Sequence, residues 1–62
     1  MNLEQIKQAI ADGKKVYWAS ALYEVIKDSR GEYLIKCGGS CIGLTWADGV
    51  TLNGKESDFF TL

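Results

Sequence analysis

The chain has 62 residues, with seven Lys or Arg, eight Asp or Glu and no His. A chain of this length forms one domain, and its near-balanced charge gives no electrostatic reason to expect a polyanion as partner. The absence of His removes the commonest general base and a leading metal ligand. Because a domain this small buries only about 60% of the surface that its unfolded chain exposes, self-association is a common aid to its stability.

The cysteine content and the first residues indicate the cellular compartment. Cys37 and Cys41 are too few for the disulfide framework of a small secreted domain. Asn2 and Glu4 stand where a signal peptide needs apolar residues. No apolar run approaches the roughly 20 residues of a membrane span. We therefore expect a cytoplasmic protein that makes no membrane contact.

Residues 2–12 are predicted to form an amphipathic helix. Asn2 is placed to cap it, and Gln5, three residues on, completes a capping box. Gly13 can adopt the left-handed conformation that ends many helices. One helical stripe carries the apolar side chains Leu3, Ile6, Ala9 and Ile10. Because a helix this short is marginal alone, we expect the stripe to pack on a sheet.

A meander of short strands is predicted to follow the helix. The segments with β-branched and aromatic content are 15–19, 22–28, 32–37, 41–46 and 50–52. The second and third are predicted to form a hairpin around Ser29-Arg30-Gly31, because Gly31 can take the positive φ that a three-residue loop requires. In that register, Val25 faces Ile35.

Three turn signals organise the second half of the chain, and the middle one, Ala47-Asp48-Gly49, separates the last two predicted strands. Gly38-Gly39-Ser40 is predicted to be a three-residue loop, which sets Cys37 opposite Cys41. Asn53-Gly54 is the strongest two-residue hairpin signal in the sequence. After it, Ser57 is predicted to cap a single helical turn that carries two phenylalanines back onto the fold.

Alternation along the hairpin sorts its side chains into two faces, and both contain apolar residues. One face carries Tyr23, Val25, Lys27, Tyr33, Ile35 and Cys37. The other carries Leu22, Glu24, Ile26, Asp28, Glu32, Leu34 and Lys36, to which the fourth strand is expected to add Ile42, Leu44 and Trp46. One short helix covers only one face of a sheet. The sheet then either curls into a small, partly open barrel or meets a second molecule with its uncovered face.

The less charged face is predicted to be the surface that meets a partner. Its central residues are Tyr23, Val25, Tyr33 and Ile35. Tyrosine is favoured in interface cores because its large ring can be buried while its hydroxyl stays hydrated. The partner is expected to be a second copy of the chain or a different protein.

The two cysteines are the residues that most resemble a chemical site. Cys37 and Cys41 would supply two thiolates to a zinc site or a redox disulfide. A structural zinc site needs four protein ligands, however, and the chain has no His and no further Cys. Two small side chains on a half-buried strand pair are the favoured interpretation.

Neither the carboxylates nor the glycines of the central region favour catalysis. Glu24, Asp28 and Glu32 are more typical of a solvated hairpin than of acid–base chemistry. The glycines at 38, 39 and 43 lack the strand-to-helix context and the Lys-Ser/Thr ending of a phosphate-binding loop. We therefore assign no catalytic, metal-binding or cofactor-binding residue and expect no cofactor.

Single-stranded nucleic acid is the alternative partner. Aromatic and basic residues interleave in the predicted strands, a mixture typical of small β-barrels that bind single strands. The candidate contacts are Lys15, Tyr17, Lys27, Arg30 and Lys36. Acidic residues are spread through the same strands, so no uncompensated basic stripe is visible.

The sequence as a whole predicts an α+β fold, in which an N-terminal helix packs on a twisted antiparallel meander of four to six short strands. For function it predicts a small, non-catalytic binding module that acts through a protein–protein surface. Such a module would serve as an accessory or regulatory protein, and self-association into a homodimer is expected.

Overall fold

The computed structural model describes all 62 residues and contains one α-helix and five strands. In chain order the elements are α1 (Leu3–Ala11), β1 (Val16–Trp18), β2 (Ser20–Lys27), β3 (Tyr33–Cys37), β4 (Ser40–Gly43), a 3₁₀ turn (Glu56–Asp58) and β5 (Phe59–Thr61). The strands form one antiparallel sheet in the order β4-β3-β2-β1-β5, and the sheet does not close into a barrel. The predicted class, an N-terminal helix with an antiparallel meander, is confirmed.

The helix α1 begins and ends through local contacts that its sequence predicts. The Asn2 side chain accepts a hydrogen bond from the Gln5 amide at 2.8 Å, and Gln5 Oε1 accepts one from the Asn2 amide at 2.9 Å. This capping box satisfies two amides at the helix start. Gly13 follows the helix with φ 81°. Ile6 and Ala9 are buried, so the predicted apolar stripe is the face that docks.

The β2–β3 hairpin has the predicted register. Val25 pairs with Ile35, and the three-residue loop ends at Gly31, which has φ 85°. The Asp28 amide donates to the Glu32 carbonyl at 2.8 Å, which closes the loop. Alternation therefore divides the hairpin side chains into the two predicted sets.

The core lies between α1 and one face of the sheet. Every element of the fold except β4 and the 3₁₀ turn contributes to it. Its seven buried residues are Ile6, Ala9, Val16, Val25, Ile35, Leu44 and Phe59. Three of them, Val16, Val25 and Ile35, are neighbours in one row across β1, β2 and β3. This face is called the core face below.

The turn between β3 and β4 differs from its prediction. It contains two residues, Gly38 and Gly39, so Cys37 pairs with Ser40 and Cys41 pairs with Lys36. Gly38 has φ 60° whereas Gly39 does not have a positive φ, as in a type II′ turn, whose twist matches that of the flanking strands. The prediction that the two cysteines face each other is therefore wrong.

The same one-residue difference changes the face of every later residue in β4. Ile42 pairs with Ile35 and lies on the core face, not on the face of Ile26 as predicted. Leu44 lies just beyond β4 and extends the ladder, because its amide donates a hydrogen bond to the Tyr33 carbonyl at 3.1 Å. Its side chain is fully buried. Because alternation has a period of two, a single extra loop residue inverts all of these positions.

The predicted strand at residues 50–52 is not formed. Only one bridge joins Thr45 to Leu52 in this region. Asn53-Gly54 forms no hairpin. Gly54 instead packs against the side chain of Trp18. A Cβ atom added to Gly54 would lie 2.7 Å from Nε1 of Trp18, so the glycine lets the backbone approach this indole.

The C-terminal residues form an edge strand that the sequence analysis missed. A helical turn is present at residues 56–58, but Ser57 lies inside it and no side chain caps it, so the predicted cap is wrong. The phenylalanines after the turn belong to β5. Phe59 pairs with Trp18 and Phe60 pairs with Tyr17. This pairing joins residues far apart in the chain, so the local sequence pattern does not predict it.

The connection from β1 to β2 is irregular. Ala19 has φ 63°, and the register shifts between Tyr17 and Trp18, which leaves Leu22 in a bulged part of β2. Leu22 is 82% exposed. A side chain of this size on a bulge is held away from the body of the fold.

No helix of the structure is both long enough and apolar enough to cross a membrane.

Candidate interaction surface

The helix covers the face that was predicted to meet a partner. Val25 and Ile35 are 3% and 0% exposed, and Tyr23 and Tyr33 are half-buried against the core. The prediction that this face is the open one is therefore wrong. The less charged face is the better site for a helix, because burying the opposite face would take a glutamate and a lysine out of water.

The opposite side of the sheet, called the outer face here, is not covered by the helix and is the candidate surface for a partner. Its members come from all five strands and are Tyr17, Glu24, Ile26, Leu34, Lys36, Cys41 and Phe60. The register places five of them in one transverse row, in the order Phe60, Tyr17, Glu24, Lys36 and Cys41. Since α1 lies on the core face, this row is left largely to solvent.

Apolar side chains flank the charged centre of the outer face. The Tyr17 and Phe60 rings lie 5.7 Å apart between centroids, tilted by 33°. Ile26 and Leu34 are direct cross-strand partners in the next row. All four are half-buried, because each is shielded mainly by its neighbours on the sheet.

One acid and one base occupy the centre of the outer face. Glu24 lies opposite Lys36 in the β2–β3 ladder. The salt bridges of the structure both belong to Arg30, so Glu24 and Lys36 form no ion pair with each other. The outer face therefore presents one positive and one negative group whose charges sum to zero.

The carboxylates at the hairpin tip hold the turn. Asp28 Oδ1 accepts the amides of Glu32 at 2.8 Å and Arg30 at 2.9 Å. Arg30 also approaches the Asp28 carboxylate at 3.4 Å and the Glu32 carboxylate at 3.3 Å. The Glu32 amide, and then the Arg30 amide and guanidinium, hold the pKa of Asp28 below its ordinary value of 3.8. These contacts order the loop, and they explain why a carboxylate stands here.

The cysteines do not form a joint site. Cys37 is half-buried on the core face, and Cys41 is exposed on the outer face. Both thiols are free. No three Cys, Asp or Glu side chains are grouped closely enough to hold a metal ion.

The residues proposed for nucleic acid are divided among three places. Tyr17 and Lys36 lie on the outer face, and Lys15 immediately precedes β1. Lys27 lies on the other side of the sheet, with Nζ 5.7 Å from the Tyr33 ring centroid. Arg30 is engaged at the hairpin tip. The structure does not bring these five residues together into one basic, aromatic channel.

The structure also contains a groove that was not predicted from the sequence. A groove of about 410 Å³ runs between the first half of α1, the start of β3 and the loop after β4. Its lining includes Leu3, Lys7, Tyr33, Leu34 and Trp46, and we call it the Trp46 groove. Trp46 is 64% exposed at its edge. The available signal in the sequence was a tryptophan directly before the turn Ala47-Asp48-Gly49. Trp46 was predicted to end the strand 41–46, but β4 ends at Gly43 and leaves Trp46 outside it.

Comparison with protein-family models, with curated proteins and with solved structures finds no match to this chain.

Proposed function

We propose that this protein is a non-catalytic binding module that pairs with a second copy of itself through the outer face. The observation that carries the proposal is the inequality of the two sheet faces. One is covered by α1, and the other carries aromatic and aliphatic side chains around a single acid–base pair. A surface with neutral overall charge that contains both signs is able to complement itself.

The positions of Glu24 and Lys36 on neighbouring strands define the symmetry of the dimer. A two-fold axis that runs between β2 and β3, parallel to them, lays β2 of one copy over β3 of the other. Glu24 then meets Lys36 of the second copy, and Ile26 meets Leu34 of the second copy. Both apolar and charged contacts are satisfied twice, as an isologous interface requires. Two sheets that pack in this way lie about 10 Å apart.

The size of the outer face sets the strength of the dimer. The proposed axis sets β2 against β3 and β1 against β4 of the second copy, and it leaves β5 unopposed. Four strands about 4.8 Å apart and about five residues long cover on the order of 300 Å². A dimer therefore buries on the order of 600 Å² in total, which is below the roughly 1,200 Å² of a stable specific interface and in the size class of weak, transient contacts. We expect reversible association in the micromolar range. Such an exchangeable pair suits an accessory or regulatory protein.

We place this activity in the cytoplasm. Cys37 and Cys41 lie on opposite faces of the sheet, so they do not bridge within one copy. Free thiols are typical of a reducing compartment.

The first test is the mass of the protein as a function of its concentration. Sedimentation equilibrium should show the 6.8 kDa chain passing to twice that mass as its concentration rises from about 1 μM to 1 mM. A single species of one chain across this whole range would overturn the proposal.

The second test separates the proposed pairing from contacts within one copy. Glu24→Lys and Lys36→Glu should each weaken self-association about tenfold or more, because each sets like charges against one another. An equimolar mixture of the two variants should associate again, since each then presents what the other needs. Contacts within one chain cannot restore association by mixing, so a mixture that stays monomeric contradicts this interface.

The control variant is Lys14→Glu. It changes the net charge as Lys36→Glu does, but Lys14 is exposed in the loop after α1, off the outer face. Its association should equal that of the wild type. The thermal midpoint of each variant at low concentration checks that the monomer remains folded.

A further inference from the structure

The Trp46 groove is a separate concave site on the molecule. It borders the outer face at Leu34, but its other walls come from α1 and from the loop after β4. Its volume of about 410 Å³ lies within the range of sites that hold small molecules, roughly 300–1,000 Å³. Leu3 and Leu34 give it apolar walls, and the indole of Trp46 stands at its edge.

The loop that carries Trp46 is held in place by its own hydrogen bonds. The Trp46 amide donates to the Thr51 carbonyl at 2.8 Å, and the Gly49 amide donates to the Trp46 carbonyl at 2.9 Å. Asp48 Oδ1 accepts the amides of Val50 and Thr51, and the Thr51 hydroxyl donates to Asp48 Oδ2 at 2.6 Å. The loop backbone that carries the Trp46 indole therefore needs little ordering when a ligand binds.

Lys7 is the one lysine that lines the groove, and Lys27 approaches the Tyr33 ring without lining it. The Lys7 ammonium lies 5.4 Å from the Tyr33 ring centroid, and the Lys27 ammonium lies 5.7 Å from it. Neither forms a salt bridge, since both salt bridges of the structure belong to Arg30. Glu32 also lines the groove, but Arg30 lies 3.3 Å from its carboxylate.

We propose that the Trp46 groove binds an aromatic carboxylate, with the ring against Trp46 and the carboxylate at Lys7. Apolar walls beside a single lining lysine fit a molecule with one negative charge and an apolar body. The Glu32 carboxylate in the same lining disfavours ligands with several negative charges. This inference does not rest on self-association, because Lys7 and Trp46 are not part of the outer face and only Leu34 belongs to both surfaces.

The test compares two probes that differ only in charge. N-acetylphenylalanine and its C-terminal amide are titrated into the protein, and the amide-group NMR shifts of the groove residues are followed. The acid should saturate with a Kd on the order of 1 mM, as expected for a ligand of this size. The neutral amide should bind about fivefold more weakly, the loss expected for one exposed ion pair.

Two variants and a control assign the roles. Lys7→Met should reduce the affinity for the acid to that for the amide, and Trp46→Ala should weaken both probes. Lys55→Met removes an exposed lysine that does not line the groove, and it should change neither affinity. If Lys7→Met leaves the preference for the acid intact, the proposed role of Lys7 is wrong.

Further arms distinguish the source of the carboxylate. A peptide, N-acetyl-Ala-Ala-Phe with a free C-terminus, should bind more tightly than N-acetylphenylalanine if the natural ligand is a chain end. Equal affinities would identify a free small acid, and both results support the proposal. Equal binding of acid and amide, shifts confined to the outer face, or saturation of the same signals by inorganic phosphate alone would overturn it.

Discussion

At position 54, the tertiary structure requires a glycine. Its φ of 150° is a conformation that residues with a side chain rarely adopt. Its contact with the Trp18 indole leaves no space for a Cβ atom. The Trp18 Nε1 atom is buried there without a hydrogen-bond partner. The Gly54 backbone thus lies against this buried nitrogen, and a residue larger than glycine does not fit there.

Gly54→Ala should therefore destabilise the protein. Strain at positive φ and the clash with Trp18 together predict a loss of about 2–4 kcal/mol in the free energy of unfolding. Urea denaturation measures it. Gly39→Ala is the matched control, because a Cβ there meets nothing within 4 Å and φ is not positive. The explanation is wrong if both variants unfold alike.

Among the elements, the β2–β3 hairpin contains a carboxylate that makes its stability depend on pH. Hydrogen bonds from the Glu32 and Arg30 amides to Asp28 hold its pKa below 3.8 in the folded protein. The unfolded chain has the ordinary, higher pKa, so it binds more protons as the solution is acidified. The stability due to this carboxylate is present above pH 3.8 and is lost as the pH falls through the lowered pKa.

Asp28→Asn should reduce this acid sensitivity. The amide oxygen can still accept the loop hydrogen bonds, but the side chain no longer takes up a proton. Stability measured by urea denaturation from about pH 6 to pH 3 should fall less steeply than in the wild type. Adding Asp48→Asn should flatten the dependence further, because the Thr51 hydroxyl, ahead of backbone amides, lowers the Asp48 pKa. A single variant with the slope of the wild type would contradict this account.

The elements with local signals are those that could be predicted. The capping box of α1 lies within four consecutive residues, and the β2–β3 loop is set by Asp28 and Gly31. The β3–β4 turn was misjudged because its three candidate residues also allow a two-residue type II′ turn starting at Gly38. Hydrogen bonding between β3 and β4 decides between the two-residue and the three-residue turn, and the turn residues alone do not predict that pairing.

At the level of the whole molecule, stability depends on a core of only seven buried residues. A domain of this length is expected to be stable by about 3–9 kcal/mol. Loss of even one core contact is then a substantial part of the total. The row through Val16, Val25 and Ile35 is the centre of this core, and Ile42 continues it towards the sheet edge.

Ile35→Val should lower the free energy of unfolding by about 0.5–1.5 kcal/mol, because Ile35 is fully buried. Ile42→Val is the matched control, since Ile42 is its direct cross-strand partner and is 40% exposed. Its change should stay within about 0.5 kcal/mol. Equal losses would show that the centre of the core lies elsewhere.

The sequence by itself determined the α+β class, the limits of α1, and the β2–β3 hairpin with its register, because these depend on contacts within a few residues. Only the tertiary structure decided which sheet face the helix covers, which strand joins the edge beside β1, and where Trp46 lies relative to Lys7. These depend on pairing between distant segments. Both sheet faces are apolar enough to be buried, and the choice between them rests on the Glu24 and Lys36 charges that one face would have to take out of water.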